Sequence, residues 1–182
     1  MNLTVYLTSR FGTDPALRTA VETLGAWIGR SGHTLVYGGS ATGMMGVLAD
    51  SVLAAGGRVI GVETRFFYEE GLQHNGLTEL IIAETMAERK SKMIALGDAF
   101  LAFPGGTGTL EEIAEVMSLT AIGRLQAPCI LLNLNGYYDS LRALLAHMLE
   151  TGMSEPERLR AITFADDLPQ ALALLEAAWK NA

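Results

Sequence analysis

Short apolar runs alternate with longer stretches of helical period along the whole chain. Runs of four to seven residues, rich in Val, Ile and Leu, occur at 3–8, 34–37, 58–62, 79–83, 99–103, 128–134 and, more weakly, 161–164. Between them, apolar positions recur at three- and four-residue spacing over 15–31, 43–55, 86–96, 109–123, 138–151 and 168–180. The first set reads as strands and the second as helices. Strands this short, and apolar at successive positions, are buried on both faces, as in a parallel sheet covered by helices. The pattern predicts an α/β fold: a doubly wound, Rossmann-like parallel sheet with helices on both faces, in a single domain. Asp14-Pro15 supplies an N-cap and a proline at the first helical position, and Asp166 and Asp167 serve the last helix similarly. Residues 64–78 show no period and are expected to form a loop or short helix over the site.

Two of the predicted strands end in glycine-rich turns that lead into helices. The stretch Phe103-Pro104-Gly105-Gly106-Thr107-Gly108-Thr109-Leu110-Glu111-Glu112 places three glycines in four positions. Such a bend has no side chains in the way, so a ligand can approach the backbone. The following helix start attracts an anion through its unpaired N–H groups and its dipole. A carboxylate, Glu112, follows about one turn in. The segment is not a Walker A loop, since no Gly-Lys-Ser/Thr follows, and Glu111 occupies the last position of a G-x-G-x-x-G counted from Gly106. Thr109-x-x-Glu112 also fits a capping box, a reading that leaves the three glycines unexplained.

The second turn, Gly38-Gly39-Ser40-Ala41-Thr42-Gly43-Met44-Met45-Gly46, follows the strand at 34–37. Its glycines serve either tight helix–sheet packing or a ligand. In a parallel sheet both turns belong to the edge where open α/β folds bind ligands. A third segment, Thr85-Met86-Ala87-Glu88-Arg89-Lys90-Ser91-Lys92, opens with a second capping-box pattern. That places Arg89 and Lys90 near a helix start, where cations oppose the dipole. Arg89 offers a planar donor fork suited to phosphate or carboxylate. The alternative is a solvated basic face.

Composition narrows the classes. With 182 residues, 49% hydrophobic and 18% charged, the chain can build one well-buried core and is not disordered. A net charge of −7 with no run of more than two basic residues argues against nucleic acid as a partner. No apolar run approaches a membrane span and the N-terminus lacks a signal-peptide pattern, so no membrane partner is expected. The single cysteine, Cys129, beside the apolar run 130–132, reads as core packing in a cytoplasmic protein. His33, His74 and His147 show no ligand spacing and read as surface or packing residues, and no metal site is predicted.

Gly38-Gly39-x-x-x-Gly43-x-Met45-Gly46, Met86-x-x-Arg89-Lys90 and Pro104-Gly105-Gly106-x-Gly108-Thr109-x-x-Glu112 together resemble the LOG (Lonely Guy) family in order and spacing. The likeness extends to Asp-Ala-Phe at 98–100 and Asn-x-x-Gly-Tyr-Tyr at 133–138. It implies cleavage of the N-glycosidic bond of a nucleoside 5′-monophosphate, without a cofactor, to free base and ribose 5-phosphate. By position, Gly105, Gly106, Thr107, Gly108 and Thr109 would hold the phosphate, assisted by Gly38, Gly39 and Gly43. Arg89 and Glu112 match the catalytic pair, and Ser9, Met86, Lys90 and Ser118 match further substrate contacts. Cleavage develops oxocarbenium character, which a carboxylate can stabilise while orienting or deprotonating water. Arg89 could hold Glu112 ionised or contact the ribose phosphate.

The chain departs from the family at Leu7-Thr8-Ser9, Ser40, Thr64-Arg65, Ala87 and Ser118, around the base-binding surroundings. Three activities are compatible with the residues. One is a phosphoribohydrolase of N6-modified AMP and of AMP. Another is a nucleosidase for a different purine or pyrimidine monophosphate, and the third is a non-enzymatic nucleotide or cofactor carrier. A pyridoxal phosphate decarboxylase lacks a Schiff-base motif. The resemblance also implies at least a homodimer, consistent with a helix at 110–122 that is more apolar than one sheet face requires.

Overall fold

The computed structural model describes residues 1–180, which form two compact units, Met1–Asp98 and the chain from Ala99 onward. In the first, β1 (Asn2–Tyr6), α1 (Pro15–Arg30), β2 (Thr34–Tyr37), α2 (Gly43–Ala54), β3 (Arg58–Thr64), α3 (Arg65–Glu69), β4 (Glu79–Ala83) and α4 (Met86–Leu96) follow in order. The strands pair as β4-β3-β2-β1, all in parallel, with Leu3 opposite Leu35 and Leu35 opposite Val59. Thr4 donates its hydroxyl hydrogen to the Met93 carbonyl of α4 at 3.1 Å. Leu3 and Val5 point to the other face of the pleat and are fully buried as well. Both faces of β1 are therefore covered, which is why its sequence is apolar rather than alternating.

The second unit contains β5 (Ala99–Ala102), α5 (Thr107–Ala121), β6 (Cys129–Leu132), a 3-10 turn at Leu134–Gly136, α6 (Asp139–Glu150), α7 (Pro156–Leu159), β7 (Ile162–Ala165) and α8 (Leu168–Lys180). Its strands pair in parallel as β5-β6-β7. Strand and helix thus alternate through the chain and every strand pairing within each unit is parallel. This is the α/β, Rossmann-like architecture that the hydrophobic pattern predicts. Cys129 is fully buried on β6 and burial pushes its thiol up to about 12, as core packing requires. None of the described helices is long and apolar enough to cross a membrane.

Several boundaries differ from the expectation, each for a local reason. Strand β1 stops at Tyr6, because Thr8 uses its hydroxyl to accept the Arg10 N–H in a turn. Strand β3 continues through Glu63 to Thr64, paired with β4 to its last residue. Helix α5 begins at Thr107, since Gly106 already adopts the extended backbone of an N-cap. Thr109 lies inside that helix, which removes the Thr109–Glu112 capping box. Asp167 accepts the Gln170 N–H at 2.8 Å and caps α8. Asp166 instead accepts from Asn133 and from Arg142. The expected short helix in 64–78 is α3, whereas α7 carries too few residues to show a period. At α1, Asp14 accepts the Ala16 N–H at 2.9 Å and Pro15 opens the helix.

Asp14→Ala therefore removes the cap on α1, and chemical denaturation should register a loss of about 1 kcal/mol. A stability unchanged within error would show that this cap does not matter.

Candidate functional site

In the first unit the candidate residues gather where β2 and β3 end. Arg89, in the second turn of α4, is only 6% exposed. Its Nε donates to the Val62 carbonyl at 2.8 Å and lies 3.8 Å from Oε1 of Glu63. A Cβ at Gly38 would overlap Nη2 of Arg89 and sit 2.6 Å from Cε of Met45. The glycine thus makes room for the guanidinium as well as for the turn. Gly43, at a φ of +55°, opens α2, and a Cβ there would overlap the Ser9 carbonyl. The β1–α1 loop therefore presses directly on this helix start, bringing Ser9 to the glycine turn.

Gly39 has a φ of +82°, and its carbonyl accepts the His74 N–H at 2.8 Å. With the Ala41 N–H donated to Leu72 and a bridge between Ser40 and Gln73, the segment after α3 runs back along this turn. The Tyr37 hydroxyl donates to the Ser40 carbonyl at 3.1 Å. Burial, and then the charges of Glu63 and Asp50, push this phenol above its ordinary range.

Helix α4 is capped by Thr85, which accepts the Glu88 N–H at 3.1 Å. The Glu88 carboxylate accepts from Glu84 rather than from the cap residue, so the box closes one residue early. Lys92 pairs with Glu88 at 2.8 Å and donates to Ile82. Met86 is exposed in the first turn and Lys90 is half-buried beside Arg89. The reading of 89–92 as a solvated basic face thus fails for Arg89.

In the second unit, Gly106, Thr107 and Gly108 are exposed at the start of α5, and no side chain caps this helix. The first-turn N–H groups have no intrahelical acceptor. A Cβ at Gly105 would overlap Oγ1 of Thr109 and lie 2.6 Å from its Cβ, whereas one at Gly106 or Gly108 would meet nothing within 4 Å. The first glycine serves packing, then, and the other two keep space open. Tyr137 donates its hydroxyl to the Gly105 carbonyl, and Tyr138 donates to the Phe103 carbonyl at 2.6 Å. In a planar trans peptide, C=O and N–H point opposite ways. Drawing the Gly105 carbonyl toward Tyr137 turns the Gly106 N–H away from it. Asn133 holds the two tyrosines by accepting the Tyr138 N–H at 2.6 Å and donating to Asp139 at 2.8 Å.

Thr109, Glu112, Ile113, Val116 and Met117 form the buried stripe of α5. Glu112, 8% exposed, is the one carboxylate among these five. A stripe spaced for core packing would ordinarily carry an apolar side chain there. Ser118 sits about 14 Å further along the helix than Thr109. It is exposed, and its hydroxyl donates to Ala114, so α5 does not bring it to the glycine turn. No group of three or more metal-ligating side chains suited to a metal ion occurs among the described residues. His74 makes an ion-pair contact with Asp50 at 2.9 Å, and His33 packs against Trp27.

Sequence reasoning overlooked Glu63 and the roles of Tyr37, Tyr137 and Tyr138. The one available signal for Glu63 is an acid within the apolar run of β3, placed beyond the predicted strand end.

A family described as possible lysine decarboxylase matches residues 45–175. The chain is 38% identical, over 96% of its length and 88% of the relative's, to a cytokinin riboside 5′-monophosphate phosphoribohydrolase of Rhodococcoides fascians. The protein of that name from Mycobacterium tuberculosis is 35% identical over 86% of this chain and 83% of its own. The chain belongs to the LOG family. Among solved structures, the molybdenum cofactor carrier protein of Chlamydomonas reinhardtii has a TM-score of 0.75 at 20% identity, covering 98% of each chain. A molybdenum cofactor binding protein of Rippkaea orientalis has a TM-score of 0.68, also at 20% identity, over 97% of this chain and 94% of its own. At that identity the likeness speaks for the fold alone.

In this LOG protein Gly106→Val fills open space without a steric conflict. Its stability should fall by no more than about 1 kcal/mol, the cost of a poorer N-cap residue, while affinity for inorganic phosphate falls at least about tenfold. Calorimetric titration that finds unchanged affinity would remove the turn from phosphate binding.

Proposed function

We propose that this chain hydrolyses the N-glycosidic bond of a nucleoside 5′-monophosphate. The products are the free base and ribose 5-phosphate. The substrates of this reading are N6-modified AMP, such as isopentenyl-AMP, and AMP itself. The observation that carries the proposal is Glu112, a carboxylate kept on the buried stripe of α5 just behind an amide-rich helix start that no side chain caps. Relatives 33–38% identical bear the name of that activity.

Each residue has a chemical part in this reading. The exposed N–H groups at Gly106, Thr107 and Gly108 receive the 5′-phosphate, as a helix N-terminus receives an anion. As the C1′–N bond breaks, its electron pair leaves with the base, which takes up a proton from solvent, the proton that Glu112 removes from water being returned there afterwards. Positive charge spreads over C1′ and the ring oxygen. The Glu112 carboxylate stabilises that charge and accepts a proton from the water that adds to C1′. Arg89, fixed by its Nε, orients the ribose through its donor fork. Thr109 and Gly105 keep the turn closed beneath the phosphate. Association into a homodimer or larger homo-oligomer belongs to the same reading, since Leu110 and Ile122 stay 46% and 59% exposed at the two ends of α5. Sedimentation should find no monomer at micromolar concentration, and a monomer would refute that part.

Incubation with isopentenyl-AMP, AMP and CMP, followed by chromatography, should yield free base from the first two and none from CMP. No base from any of them would favour a carrier. Glu112→Gln should lower kcat by about 10²–10⁴-fold while AMP binding changes little. Retained turnover would strip Glu112 of its catalytic role.

A further inference from the structure

Strand β3 carries one acid among apolar neighbours. Val59, Ile60 and Val62 are core residues, and Glu63 beside them is 2% exposed. Its Oε1 accepts the Thr64 N–H at 2.9 Å and stands 3.8 Å from Nε of Arg89. A hydrogen bond from a backbone N–H favours the ionised carboxylate. The first glycine turn lies directly over this acid, for a Cβ at Gly39 would come 3.1 Å from the Cβ of Glu63. Gly38 meanwhile gives its side-chain space to the guanidinium. The strand end, the turn and α4 thus enclose one acid and one base that are each more than nine-tenths buried.

An uncompensated guanidinium is a poor neighbour for a reaction that builds positive charge on a sugar, because like charges repel strongly where water is excluded. It is also a strong trap for phosphate, which would hold the ribose 5-phosphate product. A buried carboxylate beside it reduces both effects and leaves the planar donors in place. We propose that Glu63 is a positioning residue of the hydrolysis, fixing Arg89 against Val62 and offsetting its charge so that the guanidinium orients the ribose without repelling the cation that forms at C1′. This rests on the phosphoribohydrolase reading of Arg89. A carboxylate that only packs the strand end would affect stability, substrate binding and turnover together.

The test is Glu63→Gln, which keeps the shape and the acceptor for Thr64 while removing the charge. With isopentenyl-AMP as substrate, kcat should fall at least about tenfold while the inhibition constant of ribose 5-phosphate tightens about three- to tenfold. Glu63→Asp, which keeps the charge at shorter reach, should recover part of kcat. A parallel loss of kcat and of product affinity would overturn the proposal, as would an unchanged kcat. The double variant Glu63→Gln with Arg89→Gln covers the case in which the single variant folds poorly. It should match Arg89→Gln alone in kcat and in affinity for inorganic phosphate, and a further loss would overturn the coupling. Should the parent protein release base from none of the monophosphates, the phosphoribohydrolase reading falls. Calorimetry with inorganic phosphate then still decides whether Glu63 restrains Arg89: tighter binding by Glu63→Gln supports it and equal binding refutes it.

Discussion

A guanidinium removed from water needs acceptors and a counter-charge around it, and the first unit is arranged around that need. Arg89 is buried on α4 because β3 gives it the Val62 carbonyl and the Glu63 carboxylate, and because β2 ends in a residue with no side chain. Each of these conditions depends on another. Glu63 is close enough only because β3 runs two residues past its apolar core. Gly38 leaves space only because the strand before it ends in line with Arg89. Thr85, by capping α4, sets where on the helix Arg89 falls.

The second unit solves a different problem, that of holding a turn rigid without filling it. Side chains would give rigidity but would occupy the open space in front of Gly106 and Gly108. The chain instead draws rigidity from beneath, through tyrosine hydroxyls on the Phe103 and Gly105 carbonyls and through Thr109 packed on Gly105. Glu112 lies on the same buried stripe as Thr109, so packing of α5 sets the carboxylate and the turn as one piece. Parallel strands make both arrangements natural, because each strand of such a sheet ends where a helix begins.

The features legible in the sequence were those written locally. Alternating apolar runs gave the α/β class, and Thr85 with Glu88 gave α4 its correct start. The glycine turns were visible because omitting side chains three or four times in a short span is itself a signal. What stayed hidden depends on pairings across the chain. Nothing near Glu63 in sequence announces Arg89, and the apolar run that marks the strand ends at Val62. Tyr138 reaches a carbonyl 35 residues earlier, a partnership no local pattern encodes. The start of α5 was misplaced because Thr-Gly-Thr is poor in helix propensity, while its true cap, Gly106, acts through backbone shape.

Asn133 gives the architecture a less visible dependence. Only an amide can accept the Tyr138 N–H while offering hydrogens to both Asp139 and Asp166. A carboxylate of the same size would face two negative neighbours with nothing to donate. Tolerance to amino-acid change around the second glycine turn is therefore governed partly from an amide well outside it, and a map of sensitive positions would be wider than the turn itself.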